Sequence, residues 1–401
     1  MRTIVVSGAL ANKPFNGGEA WVRLSWVRGL QRLGFRVVLV EQIGPAACVD
    51  SAGVPAPFGR SVNLSYFRSV IEWAGLAGSA ALVYGDGEAC EGLTWGELQE
   101  AAASAELLVN ISGHLALEPL FDRFRKTAYI DIDPGFTQFW HAEGTSPLRP
   151  HDHYFTIGEN IGTADCPIPT GGIPWHPIRQ PVVLDDWAAG TRADIPASSD
   201  RRRPAGGVRP ARFTTVANWR GPFGRVQFGG RTYGLKLHEF RRCIDLPRRA
   251  ANSSFELALD IHPAEVNDLA SLRENGWQLT DPKRAAATPE AFREFVRGSD
   301  AEFSVAQGIY VETNSGWFSD RTTRYLAAGR PVLVQDTGFS RRLPCGEGLV
   351  PFTNVDEAAA GAERIAANYE AHCAAARAVA ERCFDARAVL KRVLDVAGVG
   401  T

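Results

Sequence analysis

The apolar positions of the chain fall into two alternating rhythms. Residues 3–8, Thr3-Ile4-Val5-Val6-Ser7-Gly8, form a short β-branched run of the kind that makes a core strand. A polar, glycine-bearing loop follows, "ANKPFNGGEAW". Val22, Trp26, Val27, Leu30 and Leu33 then recur at helical spacing, and Gly34 stops the helix. "RVVLVEQI" is the next strand, so the opening is a β-α-β unit and predicts a parallel sheet. Further strands are predicted in 106–113 and 127–135, and another within "HDHYFTIGEN", with helical stretches between them. From 188 to 210 the period disappears into Ala, Ser, Pro, Gly and Arg, the composition of a linker. Arg201, Arg202 and Arg203 read there as a solvated linker run, with a basic patch as the other reading. A second α/β series follows: "ARFTTVANW", a glycine-rich loop, a helix near 236–246, "SFELALDI", "GWQLTDP", a helix near 289–298 and "AEFSVAQ". The Ala-rich end of the chain is helical, and no short repeat is present.

The pattern therefore predicts an α/β protein of two doubly wound, Rossmann-like domains facing a cleft. Residues 1–187 form the first domain, 188–210 the linker and 211–375 the second domain, and 376–401 form a terminal helix packed back on the first. In such sheets ligands bind beyond the carboxyl ends of the strands, and the cleft between two facing domains is the expected site.

Composition narrows the partners. The 401 residues are 45% hydrophobic and 22% charged, with a net charge of −2. Such a balance argues against a nucleic-acid partner held by charge and against a membrane surface. No apolar run reaches the length of a membrane span, and the first residues read as a core strand rather than a signal peptide. Seven cysteines are scattered with no CxxC pair, which fits reduced thiols in the cytoplasm and argues against structural zinc. Arginine far outnumbers lysine, and Ala and Gly are frequent, a usage typical of GC-rich bacterial genomes.

The chemistry starts at "FSDRTTRYLAAGRPVLVQDTG", residues 318–338. Ser319, Asp320, Arg321 and Thr322 crowd a predicted helix start, where free backbone N–H groups and the helix dipole favour an anion. Gly329-Arg330-Pro331 then turns the chain into a core strand that ends at Asp336. A diphosphate fits that arrangement; the plainer alternative is an N-cap at Ser319 or Asp320. Asp336 reads either as a contact to a bound sugar or as a turn residue.

"RYLAAGRPVLVQDTG", with "LPCGEGLVPF" and "DEAAAGAERI", resembles the nucleotide-sugar half of GT-B glycosyltransferases, nearest the retaining, family-4-like branch. Close agreement covers about residues 303–365. The resemblance implies a metal-independent hexosyltransferase with no cofactor. Its donor would be a UDP- or dTDP-sugar, and its acceptor a small molecule, glycan or natural product. It also implies an Arg and a Lys, five residues apart, on the diphosphate, which match Arg231 and Lys236, with Arg220 beside them in "NWRG". The branch's two glutamates are missing, because Arg324 and Gly316 stand in their places. A sugar-nucleotide epimerase on the same fold and a non-catalytic partner-binding subunit are the alternatives.

On the first domain, Asn16, Gly17, Gly18 and Glu19 resemble the glycine loop of the GT-B acceptor side, where glycines let backbone approach a ligand. Asp131 and Asp133 share a face if the strand runs through them, as a metal pair or as a general base at Asp133. A DxD pair is the metal signature of GT-A glycosyltransferases, whose single-domain layout does not match this pattern, and no metal site is expected. His151 and His153 alternate on a predicted strand, and His114 follows another strand. The catalytic candidates are therefore Asp133, His114 and His153.

Overall fold

The computed structural model describes residues 1–188 and 211–400. The stretch 189–210 lies outside the described residues, and with it almost all of the predicted linker and Arg201, Arg202 and Arg203.

Eight strands make the first sheet: β1 (Thr3–Ser7), β2 (Arg36–Ile43), β3 (Ala80–Tyr84), β4 (Ala89–Gly92), β5 (Ala105–Ile111), β6 (Thr127–Asp131), β7 (His153–Thr156) and β8 (Trp175–Pro177). Their order is β4-β3-β2-β1-β5-β6-β7-β8. Every neighbouring pair is parallel except β3 and β4. Strand β1 is buried along its whole length, as a strand covered by helices on both faces must be. The β3–β4 hairpin and β8 are strands the hydrophobic pattern did not predict. The predicted strand 127–135 stops at Asp131, because Pro134 has no N–H to pair and Gly135 turns with φ +92° into helix Phe136–Glu143.

The second sheet holds β9 (Ala211–Asn218), β12 (Ser253–Asp260), β13 (Gln278–Thr280), β14 (Ala301–Ser304), β15 (Val332–Gln335) and β16 (Leu349–Phe352), all parallel, in the order β13-β12-β9-β14-β15-β16. The loop after β9 carries a separate antiparallel hairpin, β10 (Val226–Phe228) with β11 (Arg231–Tyr233). In each sheet the strand order reverses once, between β1 and β5 and between β9 and β14. Crevices open at such points, just beyond the carboxyl ends of the strands.

The two units share a seam. Trp21 packs at a tilt against Trp187 at 4.9 Å, Trp187 meets Phe292 at 6.1 Å, and all three belong to a core cluster that also holds Tyr325 and Phe384. At the end of the chain, helix Tyr369–Cys383 runs through the predicted boundary at residue 375. The N–H of Val182 donates to Phe384 (2.8 Å) and that of Ala386 to Val182 (2.9 Å). Helix Ala386–Val396 then lies on helix Gly17–Arg32, where Gly29 leaves room for Leu390. No helix of the described residues is long and apolar enough to cross a membrane.

Candidate active site

The carboxyl edges of the two sheets meet. Asn160, beyond β7, donates from its side chain to the carbonyls of Asn314 (2.9 Å) and Gly338 (3.1 Å) beyond β14 and β15. Phe139 stacks on Phe228 at 4.4 Å and on Tyr233 at 5.3 Å, and Phe136 lies 4.7 Å from Phe223. Helix Phe136–Glu143 of the first unit is thus gripped by the hairpin loop of the second. The described non-glycine residues with left-handed backbone are Phe15, Ser112 and Asn314, at φ +60°, +55° and +47°. They sit in the loops after β1, after β5 and beyond β14, which ring this junction. Strain of that kind costs on the order of 1–3 kcal/mol each and gathers at functional sites.

Asp133 stands at the centre. Its neighbour Asp131 is fully buried and committed to structure: it accepts from Thr137 (2.7 Å), Gln138 (2.8 Å), Thr156 (2.6 Å) and the backbone of Asp133 (3.0 Å). Asp133 instead points across the cleft and accepts from the Tyr310 hydroxyl at 3.3 Å. Burial, then the charges of Asp131 and Glu19, push its carboxyl up to about 7. The two aspartates thus differ in what they bond: Asp131 holds its own segment, and Asp133 meets Tyr310. Among the described residues no cluster of three or more His, Cys, Asp or Glu is placed to hold a metal ion.

Lys236 opens helix Lys236–Arg242 on the opposite side. Among the described residues its ammonium has no hydrogen-bonding or ion-pair partner. Burial, then the positive Arg321, draw its pKa down to about 7, against the opposing pull of Asp320, Asp133 and Glu302. A half-buried amine that no hydrogen bond or ion pair engages is a candidate to meet an anionic ligand. Around this pair, Glu19 bonds Arg23, and Arg324 bonds Asp320 at 2.8 Å, with both arginines fully buried. Burial works against the Glu19 carboxylate, but Arg23 outweighs it and holds the group below its usual range. His114 shares this field. Burial, then Arg23, lower it to about 4, so it is a neutral imidazole near pH 7. Asn16 caps helix Gly17–Arg32, its side chain accepting from Glu19 N–H at 3.1 Å.

Several sequence-predicted residues are occupied elsewhere. Arg321 turns inward, giving hydrogen bonds to Glu302 (2.7 Å), the Val216 carbonyl (2.8 Å) and the Ser304 hydroxyl. Its guanidinium ties the helix to β9 and β14 instead of facing the cleft. Ser319 and Thr322 are buried with Ser304 and Gln335 around a cavity of about 10 Å³, space for one water. Asp320 is taken by Arg324. Asp336 binds its own turn, accepting from Gly338 N–H (2.9 Å) and the Ser340 hydroxyl (2.5 Å), as the turn reading expects. Arg220 pairs with Glu265, and Arg231 reaches Glu312 at 3.4 Å, both largely exposed. Gly17 does permit a close approach, but of protein: a Cβ there would overlap the Thr288 carbonyl of the second unit. The Trp21 indole donates to the next carbonyl, Pro289, at 2.7 Å. Gly18 likewise faces Phe292. His153 begins β7 opposite Ala128, at the amino end of the sheet, away from the junction. His151 precedes that strand, and its ring nitrogens meet the Arg149 carbonyl (2.7 Å) and Asn110 (3.1 Å).

Sequence reasoning missed Tyr310, Arg23 and Gln307. Gln307 follows β14 at the reversal point, is buried, and its side-chain oxygen has no partner among the described residues. Its signal was available in its position directly after a predicted core strand. Tyr310 and Arg23 gave none, because each matters only through a residue brought to it by folding.

Comparison with known proteins agrees with this geometry at the level of fold. No protein-family model matches the chain, and no curated protein matches it by sequence. Solved structures do. HepE of Anabaena in complex with UDP-glucose superposes with a TM-score of 0.59 at 12% identity, covering 99% of this chain and 100% of that one. An alpha-glucosyltransferase in complex with UDP-glucose and DNA containing an abasic site gives 0.58 at 11% identity, covering 99% of each chain. A glycosyltransferase from Rickettsia africae gives 0.50 at 11%, covering 99% of this chain and 97% of that one. The chain has the GT-B glycosyltransferase fold.

Proposed function

We propose that the protein is a glycosyltransferase that moves a hexosyl group from a UDP-sugar to a hydroxyl acceptor. The observation that carries this reading is the pair facing across the cleft: a half-buried Lys236 with no hydrogen-bonding or ion-pair partner among the described residues on the second unit, and a half-buried Asp133 on the first. The UDP-glucose bound by HepE and by the alpha-glucosyltransferase supports the choice of donor.

In this reading the acceptor hydroxyl forms a bond to the anomeric carbon while the bond from that carbon to the diphosphate oxygen breaks. The electron pair passes to the diphosphate, and the Lys236 ammonium stabilises the charge that develops there. A lysine in this role supplies the positive charge without a metal ion. The proton leaves the acceptor for the Asp133 carboxylate, whose raised pKa suits a base working near neutral pH. The aromatic grip of the hairpin on helix Phe136–Glu143 keeps water from the sugar. Seven unpaired cysteines fit a reducing compartment and so a cytosolic enzyme.

The test is a thermal-shift titration of wild type and Lys236→Ala with UDP, dTDP, GDP and ADP. UDP is expected to raise the midpoint by mass action, and Lys236→Ala to lose that shift. A wild type that none of the four diphosphates stabilises would overturn the reading in favour of a partner-binding subunit.

A further inference from the structure

Outside the Asp133–Lys236 centre, the two units border an open groove on the surface. Trp140, Glu143 and Thr145 at the end of helix Phe136–Glu143 face Arg225, Val226 and Gln227 of the hairpin loop across a groove of about 460 Å³. That volume falls within the range of small-molecule sites. One wall is the Trp140 indole, held edge-on by Phe223 at 5.0 Å and kept partly exposed. The hairpin side offers the Arg225 guanidinium and the Gln227 amide, and the helix side the exposed Glu143 carboxylate. The side chains of Glu143, Arg225 and Gln227 have no hydrogen-bonding or ion-pair partner among the described residues. A flat indole next to separated donors and acceptors is the complement of a sugar ring, which presents an apolar face and a rim of hydroxyls.

Position completes the argument. Helix Phe136–Glu143 begins three residues after Asp133 and ends in the groove. Its eight residues span about 12 Å at the usual rise per residue. A molecule with its reacting hydroxyl at Asp133 reaches the groove only if it extends well beyond one ring.

We propose that this groove is a subsite for the distal part of an oligosaccharide acceptor, with Trp140 as its stacking platform and Arg225 and Glu143 as its hydrogen-bonding rim. The proposal rests on the glycosyltransferase reading and sharpens it, since it selects extended carbohydrate over a monosaccharide. One cation beside one carboxylate leaves the groove without the excess positive charge that a nucleic-acid acceptor requires.

The test separates the groove from catalysis. The UDP-loaded full chain is applied to a printed oligosaccharide array, with wild type, Trp140→Ala and Arg225→Ala compared at equal UDP thermal shift. Wild type is expected to bind a set of glycans of three or more rings and no monosaccharide, and each variant to bind that set about tenfold or more weakly with its UDP shift intact. A wild type that binds no glycan on the array, or variants that bind as wild type does, would overturn the subsite. So would preferential retention of a DNA duplex over every glycan. Loss of the UDP shift in wild type would instead strike the donor reading, so the two failures are distinguishable.

Discussion

Asp133 and Lys236 illustrate how burial prepares a residue for work. Each is held near pH 7 from opposite directions, the carboxyl raised and the ammonium lowered. The acting forms in the proposed reaction are the carboxylate and the ammonium. Activity as kcat/KM should therefore fall on either side of a maximum near pH 7, limited by Asp133 on the acid side and by Lys236 on the alkaline side. The same shift affects stability. A carboxyl with a raised folded pKa stabilises the fold fully below its unfolded pKa, and that contribution is lost as pH rises through about 7. Asp133→Asn, which keeps the neutral form at all pH, should raise the melting temperature by a few degrees at about pH 8 and change it little near pH 4. The same variant should lose about 10²–10⁴-fold in turnover. A melting temperature that drops equally at both pH values would show that Asp133 is a structural residue.

At the scale of an element, helix Asp320–Ala327 answers for the departure from the family pattern. Where the family-4-like branch carries a glutamate, this chain has Arg324, fully buried, bonded to Asp320 at 2.8 Å and set over the Trp187 ring at 5.8 Å. Arg321, one turn earlier, ties the same helix to Glu302 and Ser304. Both arginine side chains of the helix start are thus engaged within the protein. Arg324→Glu, which places there the residue of the branch the sequence resembles, should not create a ribose contact. It would leave a buried carboxylate with no cation, beside the partly exposed Asp320 and Glu19, and should destabilise the protein by about 3–5 kcal/mol in chemical denaturation. A stable variant with tighter UDP binding would show that the arginine is a replaceable substitute for the glutamate.

At the scale of the whole molecule, identifiable contacts hold the two units together: Asn160 to Asn314 and Gly338, Trp21 to Pro289, and Gly17 against Thr288. Gly17 is the most exacting of these, because a single methyl there meets backbone and not a movable side chain. Gly17→Ala should separate the units. Small-angle scattering should give a larger radius of gyration than for wild type, and donor hydrolysis should rise relative to transfer as water enters the site. An unchanged scattering curve would mean that the seam around Trp21, Trp187 and Phe292 tolerates the shift without opening.

Hydrophobic periodicity alone determined most of the architecture. The buried runs at β1, β2, β5, β9, β12 and β15 are legible because a strand covered on both faces must be apolar throughout, and that requirement is local. Asp133, Lys236 and Glu19 were legible as candidates because they lie just beyond such strands or at a helix start. The short or edge strands β3, β4, β8 and the hairpin β10–β11 were not, since they take their stability from neighbours more than from their own pattern. Only tertiary structure decided which side chains are free to act. Arg321 and Lys236 look alike in sequence as basic residues near glycine turns, yet Glu302 and Ser304 engage one and leave the other. Tyr310 is 177 positions from Asp133, and Gly17 faces Thr288 instead of a ligand. Hydrogen bonds and charge act over a few ångströms whatever the distance along the chain, so the roles of these residues are set by what folding places beside them.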